Sequence, residues 1–252
     1  MLIDTHAHLD FPKFDDDLDE VIARAKSAGV GKIINITSYR RDFDKVRGIV
    51  MSHDDIWQSA GIHPHDTQIL ADPNWQQELT EYASYKNVVA VGEIGLDYYE
   101  MENTKAEQKS LFVPQLEIAS EHDLPVILHI RDSYDDVYDV VKDKDLRAVV
   151  HCFSGNLAAA EKFLKLGYLI SFTGIITFPK TENLAKVVKE VPLEKIMVET
   201  DAPFLAPQRI RGERCEPAYV KDVAEKIAEV KGISFAEVAK QTTKNAEKFF
   251  GI

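Results

Sequence analysis

Asp4-Thr5-His6-Ala7-His8 stands directly behind the apolar pair Leu2-Ile3. Histidines at i and i+2 of an extended strand project from one face. Imidazole is the commonest metal ligand among side chains, so a strand ending in this pair can grip one ion. An isolated His-x-His more often marks two surface or half-buried histidines, and the other histidines decide between the readings. Of the eight histidines, six follow or end a short apolar run: His6, His8, His63, His65, His129 and His151. His53 and His122 precede such runs and are assigned surface roles. Glu93, in Val91-Gly92-Glu93-Ile94-Gly95-Leu96-Asp97, and Asp201, in Val198-Glu199-Thr200-Asp201, close two further runs. A carboxylate at the end of an apolar strand is costly to bury unless it is paired or metal-bound. A salt bridge or a helix cap would explain either one alone. Convergence with four or more histidines favours metal ligation.

The candidate ligands are then His6, His8, Glu93, His129, His151 and Asp201. One catalytic zinc takes about three protein ligands plus water. This larger set suits two divalent ions with Glu93 bridging. A pair of ions about 3.5–4 Å apart can clamp the attacking and leaving oxygens of an in-line phosphoryl displacement, and metal ions also activate water for attack on a carbonyl. Hydrolysis is therefore better determined than its substrate. Imidazoles favour Zn²⁺ or Mn²⁺, while the carboxylates and a phosphate substrate also admit Mg²⁺.

Such residues need a scaffold that brings distant strand ends together. Runs rich in Val and Ile fall at 2–7, 32–37, 56–62, 88–94, 126–130, 148–153, 168–173 and 196–200, and near-continuous apolar runs fit strands buried on both faces of a parallel sheet. Helical stretches lie between them, among them 18–28, behind the acidic run Asp15-Asp16-Asp17 that suits an N-terminal cap. Pro114 inside the stretch 104–121 should kink it. Eight β-then-α units in 252 residues predict a (β/α)8 TIM barrel of the α/β class, whose active site lies at the C-terminal strand ends. The tail 221–250 adds two helical stretches split at Gly232-Ile233-Ser234, giving an extra C-terminal helix. Ser234 and Glu237 have capping-box spacing for it.

The chain is 45% hydrophobic and carries a net charge of −12. That balance argues against a broad nucleic-acid-coating surface but allows a nucleic-acid enzyme whose positive charge is local or supplied by ions. Cys152 and Cys215 form no disulfide framework. No secretory leader and no apolar run of membrane-spanning length is visible. The expectation is a soluble, cytoplasmic protein with no membrane association and no obligate protein partner.

Arg131 leaves its strand on the same face as His129, and Arg209, Arg211 and Arg214 follow the eighth strand. The loops after strands seven and eight of a barrel recurrently bind phosphate, and the arginine fork donates bidentate hydrogen bonds. Pairing with a neighbouring Glu213 or Glu216 is the favoured reading for Arg209. Arg131, Arg211 and Arg214 are assigned to substrate. Tyr98, Tyr99, Phe153, Phe178 and Phe204 also follow strands; unpaired bases stack on such rings, but most are expected to pack. Cys152, next to His151, is expected to point away from the site as a small buried hydrophobe.

The ordered motifs resemble the TatD family of metal-dependent deoxyribonucleases, within the amidohydrolase-like barrels. They are Asp4-Thr5-His6-Ala7-His8, Gly61-Ile62-His63-Pro64-His65, Gly92-Glu93-Ile94-Gly95-Leu96-Asp97, His129-Ile130-Arg131, His151-Cys152-Phe153-Ser154-Gly155 and Glu199-Thr200-Asp201-Ala202-Pro203. The resemblance spans nearly the whole chain and implies one barrel domain over residues 1–252. It also implies a first ion on His6 and His8 with Asp201 adjacent, a second on His129 and His151, and Glu93 between them. Asp201 would orient or deprotonate the attacking water, and His63 would face the substrate phosphate. The implied activity is hydrolysis of DNA phosphodiesters, often from the 3′ end and supported by magnesium, on DNA ends or a small phosphodiester. Two positions depart from the family pattern. Glu100 stands where many members are basic, and Cys215 stands where asparagine usually precedes Glu-Pro. The runner-up is a metalloenzyme cleaving an amide, ester or lactone, weakened by the absence of a well-placed lysine for carbamylation. A metal-binding interaction protein without catalysis is the third reading, and the complete ligand set argues against it.

Overall fold

Eight short parallel strands, hydrogen-bonded side by side in chain order, form the sheet of the computed structural model, which describes residues 1–99 and 101–252. Glu100, flagged above, lies outside the described residues. The strands are β1 (Leu2–Ala7), β2 (Val30–Asn35), β3 (Ile56–Ala60), β4 (Val88–Asp97), β5 (Val126–Arg131), β6 (Ala148–Val150), β7 (Leu169–Phe172) and β8 (Ile196–Val198). The barrel closes just past the C-terminal ends of β1 and β8, where Asp201 N–H donates to the His6 carbonyl at 2.8 Å and His8 N–H donates to the Ala202 carbonyl at 2.7 Å. The closing bonds thus involve three of the candidate ligands, His6, His8 and Asp201.

Among the described residues, eight helices cover the outside: α1 (Leu18–Ser27), α2 (Phe43–Ser52), α3 (Trp75–Ala83), α4 (Lys105–Glu121), α5 (Tyr134–Val141), α6 (Leu157–Lys165), α7 (Glu182–Glu190) and α8 (Val220–Lys231). The additional helix α9 (Phe235–Phe250) starts with the Ser234–Glu237 capping box read from the sequence. It seals the bottom of the barrel. Asn245 donates to the carbonyls of Leu193 and Ile196 at 2.8 and 2.7 Å, and Phe249 and Phe250 pack with Ile3, Ile34, Ile127 and Met197. No helix among the described residues is long and apolar enough to cross a membrane.

Helix α4 contains Pro114 within its span. Two local expectations change. Asp17 occupies the N-cap position of α1, but its carboxylate caps no backbone N–H; it binds Arg24 and Arg214 instead, at 2.9 and 2.7 Å. Several strands also stop early, because side chains take over the ladder's role at the upper rim. Thr200 N–H donates to Asp4 Oδ1 at 2.9 Å, and Thr37 N–H donates to the Ser59 hydroxyl at 3.2 Å. His8, His63, His151 and Asp201 lie just beyond these strand ends and line the barrel mouth.

Candidate metal centre

Glu93 lies at the middle of the mouth and is 5% exposed. One carboxylate oxygen, Oε2, is 3.6 Å from His6 Nε2, 3.2 Å from His129 Nδ1 and 2.9 Å from His151 Nε2. The other, Oε1, is 3.7 Å from His8 Nε2 and accepts from the Ser38 hydroxyl at 3.1 Å. Two groups of atoms share this carboxylate. In the first, His6 Nε2 and His8 Nε2 are 3.3 Å apart, with Asp201 Oδ1 at 3.5 and 3.3 Å from them. In the second, His129 Nδ1 and His151 Nε2 are 3.2 Å apart.

These spacings fit cations. Zinc ligands sit about 2.0–2.2 Å from the ion, and a tetrahedron of that radius has edges of about 3.4 Å. Two imidazole nitrogens facing each other at hydrogen-bond distance, with carboxylate oxygens at the same spacing, form a cradle for a shared positive charge. Without an ion, protons must supply that charge. Burial would lower the His8 imidazole, yet Asp201 and Glu93 carry it up to about 9. Glu199 and Glu93 overcome burial to hold His151 well above the ordinary histidine range. Burial, with His151 beside it, holds His6 well below that range, so His6 presents a free lone pair. Glu93 stays ionised because His129 and His151 outweigh its burial. Ion binding therefore displaces protons from this cluster.

A second layer of carboxylates lies behind the candidate ligands. His129 Nε2 is 3.0 Å from Asp97 Oδ2, which is also 3.3 Å from His65 Nε2. Glu199 Oε1 lies 3.4 Å from His151 Nδ1. Carboxylates behind ligating imidazoles set ring orientation and basicity. The mouth forms a cavity of about 500 Å³ lined by His8, Glu93, Asp97, His129, His151 and Asp201 together with His63, Arg131 and Phe204.

The model of the TatD-related DNases matches residues 3–251. The chain belongs to that family. An uncharacterized metal-dependent hydrolase of Bacillus subtilis is 40% identical, over the whole of both chains. The 3′-5′ ssDNA/RNA exonuclease TatD of Shigella flexneri is 32% identical over all of this chain and 99% of its own. The crystal structure of the TatD homologue YjjV from Escherichia coli superposes with a TM-score of 0.92 at 33% identity, covering 100% of this chain and 98% of that one. This TatD relative is thus a metal-dependent hydrolase on a TIM barrel.

The arginine rim narrows. Arg209 pairs with Asp222 across α8, with its second nitrogen at 3.0 Å, and not with Glu213. Arg214 is withdrawn from the substrate side. Its guanidinium donates to both oxygens of Asp17 at 2.7 Å and to Glu216 at 2.8 Å, because the loop after β8 folds back onto the start of α1. Arg131 lines the cavity with its guanidinium 3.8 Å over the Tyr99 ring, while Arg211 is exposed over Phe178 at 5.0 Å, outside the cavity lining. Arg214→Ala is therefore expected to lower stability modestly and to leave kcat/KM on any substrate unchanged. Arg214 and Arg24 draw the Asp17 carboxyl from 3.8 down to about 2. A depressed carboxylate stabilises above its unfolded value and loses that contribution as pH falls through the folded one. The stability gap between wild type and variant, read by urea unfolding, should narrow between about pH 4 and pH 2.

Cys152 also corrects the sequence reading. It lines the cavity. Its strand ends at Val150, and Cys152 adopts a left-handed φ of 46°, so strand alternation no longer governs its direction. Burial, with Asp201 nearby, raises its thiol well above the ordinary range, leaving a neutral thiol 3.6 Å from the Thr173 hydroxyl. Asp97, Glu199 and Ser38 were missed as site residues. Asp97 alone had a readable signal, since it shares a strand face with Glu93 at i and i+4.

Proposed function

We propose that this protein is a phosphodiesterase acting on DNA ends, with two divalent ions held on either side of Glu93. One observation carries the reading: a single buried carboxylate lies within 3.7 Å of four imidazole nitrogens on three strand ends. His6, His8 and Asp201 would hold one ion, and His129 and His151 the other. Bound there, such ions supply Lewis acidity toward a phosphoryl group and lower the pKa of water.

The protein's own groups do the rest. Asp201 is the ligand carboxylate with the greater exposure, its side chain 16% exposed against 6% for Glu93. It is placed to accept the proton of an attacking water at Oδ. His63 projects into the cavity, and burial, with His129 beside it, holds its ring well below the ordinary histidine range. It therefore meets a phosphate oxygen as a neutral donor. Arg131 supplies the nearest fixed cation, and Arg211 supplies a more distant one on the approach. A net charge of −12 with so few cations at the mouth suits a short contact with one strand end. The salt slope of binding should correspond to about one or two phosphate contacts.

The test is hydrolysis of end-labelled single-stranded DNA by metal-stripped protein, with Mg²⁺, Mn²⁺ or Zn²⁺ returned separately. A ladder that requires the added ion supports the reading, and the labelled end gives its polarity. Protein that binds the ions yet cleaves no oligonucleotide, while turning over an amide, ester or lactone, would overturn it.

A further inference from the structure

Phe204 follows Asp201 by three residues and is 40% exposed at the rim of the cavity, an unusual place for a phenylalanine. Its backbone is fixed: Phe204 N–H donates to the Asp201 carbonyl at 2.8 Å. Its ring is held edge to face against Phe11, with centroids 5.1 Å apart, and sits 6.2 Å from the His8 ring. The tip of Lys13, on an exposed side chain, lies 5.7 Å from the ring centroid. Across the mouth, Tyr99 is 42% exposed, but Arg131 already lies over its ring at 3.8 Å. The two sides therefore differ. One presents an apolar face next to an exposed ammonium, and the other a stacked guanidinium.

Resting on the phosphodiesterase reading, we propose that Phe204 is the base platform of this site and determines its preference for unpaired nucleotides. A phosphate at the metal centre places the base of its own nucleotide beside His8 and Asp201, within reach of the Phe204 ring. Base–aromatic stacking needs an open face, and a base stacked between neighbours inside a duplex does not offer one. Lys13 swings off the ring to the flanking phosphate as the base lands. Arg131, flattened on Tyr99, steadies the strand on the far side. The ring reads no base identity, because every base has a stacking face, so the preference is for strandedness and not for sequence.

The experiment pairs the ring with the base it would carry. Metal-loaded wild type and Phe204→Ala are assayed on single-stranded oligonucleotides in which the bases around the cleaved bond are removed one at a time, leaving abasic sugar. Base removal at one position should lower wild-type kcat/KM by about ten-fold. Phe204→Ala should lose a similar factor on the intact strand and be indifferent to base removal at that position, and Phe204→Trp should restore the sensitivity. If Phe204→Ala remains as sensitive as wild type, or loses rate equally on every substrate, the ring merely packs against Phe11 and His8 and the platform is overturned. A wild type that cleaves none of the oligonucleotides overturns the phosphodiesterase reading, and the platform with it.

Discussion

Glu93→Ala should abolish metal-supported hydrolysis, with a loss of about a thousand-fold or more, and should lower the number of ions bound as well as the rate. The size of this effect follows from position. The Glu93 carboxylate meets His6 and His8 on one side and His129 and His151 on the other, so its removal leaves both groups incomplete. It also leaves the imidazoles without the negative charge that offsets them. His8 and His151 owe part of their raised pKa to Glu93, so in the variant they release protons at lower pH. The fold itself should survive, because the barrel is closed by backbone bonds at Asp201 and His8 and sealed below by α9. Metal content by elemental analysis, circular dichroism and hydrolysis on the same preparation distinguish the outcomes. A variant that keeps full activity with both ions bound would show that Glu93 does not bridge.

The barrel was readable in the sequence because parallel strands buried on both faces leave continuous apolar runs, and all eight runs correspond to strands. The convergence of the candidate ligands was readable because each sits at the upper end of such a run. What escaped was the second layer. Glu199 lies past the end of β8, and nothing local says that its Oε1 accepts from Cys152 N–H at 2.6 Å or backs His151. β4 extends to Asp97, three residues past its expected end at Ile94, because Gly95 lets the chain run close beside β5. A Cβ at Gly95 would sit 2.0 Å from the His129 carbonyl oxygen, with φ at 151°. That added length delivers Asp97 to His129. Arg214 was misassigned for a different reason. Asp17, its partner, is 197 residues away in sequence, and only the folded chain brings the two together.

Asp201→Asn separates proton transfer from ion holding. The amide keeps the shape of the carboxylate and an oxygen toward His6 and His8, which lie 3.5 and 3.3 Å from Oδ1, so both ions should still load, with weaker affinity at the first. What it loses is a group able to accept a proton. General-base catalysis contributes about 10²–10⁴-fold, and kcat should fall within that range on an oligonucleotide while KM changes little. Backbone geometry makes the substitution a clean one. Asp201 holds a left-handed φ of 60°, a conformation asparagine tolerates as well as aspartate does, and its N–H bond to the His6 carbonyl does not involve the side chain. Raising the pH gives the second readout. If Asp201 takes the proton, added hydroxide bypasses it, and the deficit of the variant should shrink as pH rises. A deficit that is constant with pH and accompanied by loss of one ion would assign Asp201 to ligation alone and pass the proton to another acceptor at the mouth.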